Sequence, residues 1–156
     1  MALQVGIDSY VTLEEADEYF AGKLFADEWN GADAGTKEKA LKEACRRINR
    51  LAFQGVKASE TQVLEFPRMM PVFGRIGTIG FDTGEEVPEA VKAAQCEEAL
   101  ALLRYGNSAR TKAREQKVIR VQFGNVTEEY RAGLKLLSQE ALELLKPYLA
   151  GAVSIR

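Results

Sequence analysis

The sequence predicts a mainly α-helical protein: about four helices in a small bundle, with one β-hairpin and a long irregular loop. Three observations carry this. Apolar residues recur at helical spacing in four separate stretches, one later stretch alternates apolar and polar residues, and residues 56–87 show neither period. The length of 156 residues suits one domain, read here as residues 1–150 followed by a C-terminal tail, 151–156. No internal repeat and no interdomain linker is visible.

The first helix is expected at about 13–25. Thr12 and Glu15 form a capping box, and Ala16, Tyr19, Phe20 and Leu24 follow at helical spacing. Residues 26–36 carry two glycines and read as a loop in which Trp29 is a packing anchor. Thr36 is the expected cap of a second helix, about 37–53, with Ala40, Leu41, Ala44, Cys45 and Ile48 on its apolar stripe. Residues 56–87 hold Pro67, Pro71, Gly74, Gly77, Gly80 and Gly84, so a long loop is expected. Val87-Pro88 opens a third helix that runs to Tyr105 and stops at Gly106-Asn107 in a left-handed terminator. Its two adjoining apolar faces predict a central helix.

Ile119, Val121 and Phe123 alternate with Arg120 and Gln122, the pattern of a half-buried strand. Gly124-Asn125 is a turn dipeptide, and Val126 to Tyr130 can return as the second strand of a hairpin. The alternative is a helix capped by Thr127. A last helix is expected at about 134–146, broken by Pro147.

The chemistry is narrowed by what the chain lacks. There is no histidine, which excludes Ser–His–Asp and Cys–His catalysis and histidine metal sites. Cys45 and Cys96 stand alone in helical segments and read as reduced, buried apolar side chains. The string from Gly74 to Gly84 matches neither a Walker loop nor a dinucleotide-binding fingerprint. Glu97-Glu98 point in different directions on a helix and make no obvious acid–base or metal pair. The expectation is a non-enzyme with no catalytic residues, no metal and no cofactor. No stretch reads as a leader or a membrane span.

The net charge is −2, yet residues 104–120 hold six basic side chains and one acidic. That local bias can attract a polyanion or an acidic protein surface. Arg110, Lys112, Arg114, Lys117 and Arg120 are the candidate DNA-facing or partner-facing cations. Tyr105, Phe123 and Tyr130 lie nearby in sequence as candidate stacking aromatics; the other reading makes them core and the charges a solvated face.

Three ordered stretches carry a resemblance. The first is Ser9 to Tyr19. The second is Lys39-Ala40-Leu41 with Ala44 and Arg46 to Asn49, followed by Leu64-Glu65-Phe66-Pro67-Arg68. The third is Lys117-Val118 through Gly124-Asn125-Val126 and Glu129-Tyr130, closing with Leu144 to Leu149. Together they resemble tailed-phage head–tail connector (adaptor) proteins, and sequences of this type are also labelled DnaT-like single-stranded-DNA-binding proteins. The resemblance implies a structural virion subunit assembled in the bacterial cytoplasm. It implies a homo-oligomeric ring, typically twelvefold, between the portal protein and a downstream tail or nozzle protein, with double-stranded DNA passing through its channel. On that reading Gly151, Ala152, Val153, Ser154, Ile155 and Arg156 form a portal-docking tail. Met69, Met70, Phe73, Arg75, Ile76, Ile79 and Phe81 form a loop that contacts neighbouring subunits or the tail. The alternative is a single-stranded-DNA-binding protein acting through residues 104–120.

Overall fold

The computed structural model describes residues 2–73, 79–81, 84–116, 120–123, 126–129 and 136–150. Its helices are α1 (Leu13–Ala21), α2 (Asp27–Asn30), α3 (Ala34–Asn49), α4 (Glu89–Tyr105), α5 (Ala109–Glu115) and α6 (Gln139–Leu145), the last running into a 3-10 turn at Lys146–Tyr148. Between them lie β1 (Val56–Lys57), β2 (Arg68–Met69), β3 (Pro71–Phe73), β4 (Ile79–Phe81), β5 (Arg120–Phe123) and β6 (Val126–Glu129). They pair as three separate antiparallel ladders, β1–β2, β3–β4 and β5–β6.

The expected mainly helical architecture is present, with α4 at its centre. Both described core clusters draw on this helix. One gathers Val91 and Ala94 with Cys45 and Ile48 of α3, Phe53, Phe66 and Met70 of the irregular segment, and Leu136, Ala141 and Leu145 at and around α6. The other gathers Cys96, Ala99 and Leu100 with Phe20 of α1, Trp29 of α2 and Leu41 of α3. The apolar stripe of α3 therefore splits, its first half facing one cluster and its second half the other.

Several boundaries differ from expectation, each for a local reason. The capping box forms as expected, Thr12 Oγ1 accepting from the Glu15 N–H and Glu15 Oε2 from the Thr12 N–H. Yet α1 ends at Ala21. The expected loop holds one helical turn, α2, that buries Trp29 completely; its indole N–H donates to Asp17 Oδ1 at 2.8 Å. The second long helix starts earlier than expected because Asp33, not Thr36, is its cap, accepting the Thr36 N–H at 2.8 Å. Gly106 ends α4 in right-handed rather than left-handed geometry, so the chain turns directly into α5. Ser108 Oγ accepts the Thr111 N–H there, a side-chain cap on a helix that has no apolar stripe.

The expected hairpin is present as β5–β6, with Arg120 opposite Glu129 and Phe123 opposite Val126. Thr127 lies in its second strand rather than capping a helix. The last helix starts at Gln139 instead of about 134, because Ser138 accepts the Ala141 N–H and Glu98 of α4 accepts the N–H groups of Leu137 and Ser138. The segment expected as one irregular loop carries the short ladders β1–β2 and β3–β4. Gly55 and Gly84, both with positive φ, allow the Arg68–Met69 backbone to pass close by; a Cβ on Gly55 would stand 2.1 Å from the Met69 carbonyl oxygen.

Candidate partner and nucleic-acid surfaces

Polar side chains buried in the body fix where its surfaces sit. Gln95 of α4 is fully buried between the two clusters. It accepts from the Tyr10 N–H at 2.8 Å and donates to Ser9 Oγ at 2.8 Å and to the Leu41 carbonyl at 2.9 Å. The Tyr10 hydroxyl donates to Asn49 Oδ1, which also accepts the Glu65 N–H at 3.2 Å. Phe66 then stands edge-on to Tyr10, Phe53 and Tyr148 at 6.2, 4.8 and 5.6 Å between ring centres. Burial pushes the Tyr10 hydroxyl pKa above its ordinary value, so it remains a neutral donor.

Arg68 is the clamp of the irregular segment. At 8% exposure its guanidinium donates to the carbonyls of Gln54 (2.9 Å) and Gly55 (2.8 Å) and to Glu65 Oε2 (2.6 Å). The same segment receives the end of the described chain, since Gln54 N–H donates to the Tyr148 carbonyl and Ala150 N–H to the Ala52 carbonyl. The root of the C-terminal tail is thereby fastened beside β1–β2. Val56 and Met69, opposite one another across that ladder, are exposed, as is Val63 in the connecting loop.

Glu97 and Glu98 do not act as a pair, and neither lies at a helix start. Glu97 accepts from the Tyr19 hydroxyl at 2.6 Å and is ion-paired with Lys23. Glu98, fully buried, meets the start of α6 on one side and Arg47 at 3.7 Å on the other. Among the described residues, no group of three or more Cys, Asp and Glu side chains is placed to hold a metal ion. Both cysteines are free and buried, and burial pushes each thiol up to about 12. A cleft of about 430 Å³ between α1 and α4 is rimmed by Glu15, Glu89 and Lys92, but these charges pair with one another at 3.4 Å.

The sequence-derived candidates fall unevenly onto this frame. Arg110 and Lys112 are exposed on α5, and Arg114 lies near the C-terminal end of that helix. Arg120 begins β5, whereas Lys117 lies outside the described residues. Of the loop candidates, Met69 is exposed on β2 but Met70 is 9% exposed and packs in the core. Met70 is therefore a core side chain and not part of an outward-facing loop. Phe73 lies on β3, and Ile79 and Phe81 on β4, with Phe73 opposite Ile79. Arg75, Ile76 and the whole tail from Gly151 to Arg156 lie outside the described residues. Of the candidate aromatics, Tyr105 is 54% exposed at the end of α4.

Sequence reasoning missed Leu24 and Phe25, in the turn between α1 and α2. At 77% and 79% they are the most exposed large apolar side chains among the described residues. Phe25 also has φ +60°, the left-handed region that a residue with a Cβ rarely enters. The helical spacing of Leu24 with Phe20 gave the opposite signal. No helix among the described residues is long and apolar enough to cross a membrane.

These features define a small, mainly helical domain whose surface candidates sit on short elements and turns around a well-packed body. The chain matches, over residues 2–156, the model of a family described as "Putative DnaT-like ssDNA binding protein", and it belongs to that family. No curated protein and no solved structure matches it.

Proposed function

We propose that the chain is a ring-forming adaptor, the head–tail connector subunit of a tailed bacteriophage, seated between portal and tail with DNA passing through the ring. The observation that supports this most is where the resemblance-bearing stretches meet. Ser9 to Tyr19, Arg46 to Asn49, Leu64 to Arg68 and Leu144 to Leu149 are far apart in sequence. Yet Tyr10, Asn49, Glu65, Phe66 and Tyr148 from these four stretches join at one point of the body. These side chains are joined by hydrogen bonds and ring packing, which supports reading them as a scaffold. A scaffold of this kind works through what it presents, and a ring closes when one patch on each subunit meets a different patch on the next.

The fastening of residues 148–150 to residues 52–54 gives the tail a fixed point of departure. On this reading Gly151 to Arg156 engage the portal, and β3–β4 and β5–β6 meet neighbouring subunits or the tail. Deleting residues 151–156 tests this. The truncated protein should unfold as cooperatively as the full chain, since it keeps the hydrogen bonds of Tyr148 and Ala150 to Gln54 and Ala52, and should lose about tenfold or more in affinity for portal rings. Unchanged portal binding would overturn the assignment.

The family description favours a second reading, single-stranded-DNA binding through the basic segment 104–120. Phosphate contacts would make the affinity fall steeply with salt.

A further inference from the structure

The end of the bundle where α1 hands over to α2 brings together side chains that are 80 residues apart in sequence. Helices α1 and α4 run side by side, with Tyr19 bonded to Glu97 and, further along, Glu28 of α2 ion-paired with Arg104 at 2.9 Å. Phe25 and Tyr105 therefore stand at the same end of the molecule. Helix α5 starts there too. Thr111 Oγ1 donates to the Tyr105 carbonyl at 2.7 Å, which ties the first turn of α5 to the end of α4, with Arg110 and Lys112 following soon after Tyr105 in the chain.

Among the described residues, Phe25 belongs to neither core cluster. Its ring is 79% exposed, and its backbone conformation is one that glycine adopts without strain. An aromatic ring held in solvent on strained backbone, at the same end of the bundle as a second exposed ring and a basic helix, has the chemistry of a stacking site. Bases of any sequence stack on aromatic faces while cations follow the phosphates. We infer that this end of the bundle binds single-stranded nucleic acid, with Leu24, Phe25 and Tyr105 against the bases and Arg110 and Lys112 on the phosphates. The assignment rests on the second reading above and gives it a location that includes residues outside the basic segment. Asp27, exposed next to Phe25, opposes phosphate and moderates the affinity.

The test is anisotropy of a labelled oligothymidine of about 16 nucleotides, titrated with the full chain across a salt series. Phe25→Gly and Tyr105→Ala should each weaken binding about tenfold and leave the salt slope unchanged. Lys112→Ala should lower the slope, and Asp27→Asn should tighten binding. Phe25→Gly should also raise the melting temperature, which separates lost binding from lost folding. If the full chain binds but the Phe25 and Tyr105 variants bind equally well, the location is wrong and the DNA-binding reading stands. If the full chain fails to bind even at low salt, both fall. If Phe25→Gly changes the solution mass but not oligonucleotide binding, the turn is a contact between copies and the inference is overturned.

Discussion

The two core clusters on either side of Gln95 solve different problems. The cluster around Phe20, Trp29, Leu41 and Leu100 is built almost wholly by helices, whose backbone groups are satisfied within each helix. The cluster around Phe53, Phe66 and Met70 includes irregular chain, whose buried carbonyls and N–H groups must find partners elsewhere. Those partners are side chains: Arg68 for the carbonyls at 54 and 55, Asn49 for the N–H of Glu65, Glu98 for the N–H groups at 137 and 138. The first region is held by apolar packing and the second by a few buried polar groups as well. Mutations of opposite chemistry should therefore break each side.

The largest effect is expected at the clamp. Arg68→Ala removes the donor to two carbonyls and to Glu65 Oε2, leaving that carboxylate the more distant Lys57 at 3.5 Å, at a cost of about 3–5 kcal/mol. Arg68→Lys keeps the charge but not the fork, and should recover less than half of the loss. Denaturant unfolding would read both, and a loss below about 1 kcal/mol for Arg68→Ala would contradict the contrast.

In the helical cluster the corresponding change is Leu100→Ala, which opens a cavity in a site only 1% exposed and should cost about 2–4 kcal/mol. It should do so without disturbing the irregular segment. Amide exchange at Gln54 and Glu65 faster than the lost global stability accounts for would show that the two clusters are not separable in this way.

The smallest effect is electrostatic and belongs to the helical side. Burial pushes the Asp17 carboxyl up, but hydrogen bonds from Lys37 and the Trp29 indole outweigh it and hold it below its ordinary value of 3.8. A carboxyl depressed in the folded state stabilises the protein above its unfolded pKa, and that stability is lost as pH falls through the folded value. Stability should thus decline below about pH 4, and Asp17→Asn should flatten part of that decline. Trp29 fluorescence during unfolding at several pH values reads it directly. A steeper acid decline in Asp17→Asn would be the wrong sign.

This division also explains what the sequence could and could not reveal. The capping box at Thr12, the apolar stripe of α3 and the broad apolar surface of α4 are local patterns that set the helical side, and β5–β6 follows from alternation around a turn dipeptide. Helix α5 escaped because ARTKARE offers no large apolar residue, so only its Ser108 cap could have indicated it. Strands of two or three residues in the 56–81 region are too short for any period to register. The roles of Gln95, Glu97 and Glu98 depend on partners 39 to 86 residues away; their one visible signal was polar residues in the middle of a largely apolar helix. Of the candidate surfaces, the basic bias of 104–120 was legible as composition. Phe25 was not, because its exposure comes from a left-handed turn that no residue type around it announces.

On the proposed reading this body is a scaffold for assembly. The mass of the full chain in solution, alone and mixed with portal rings of a tailed bacteriophage, decides whether it is one. Portal should recruit many copies as one closed ring of defined stoichiometry. A chain that keeps its own mass and leaves the portal unchanged at every concentration would contradict it.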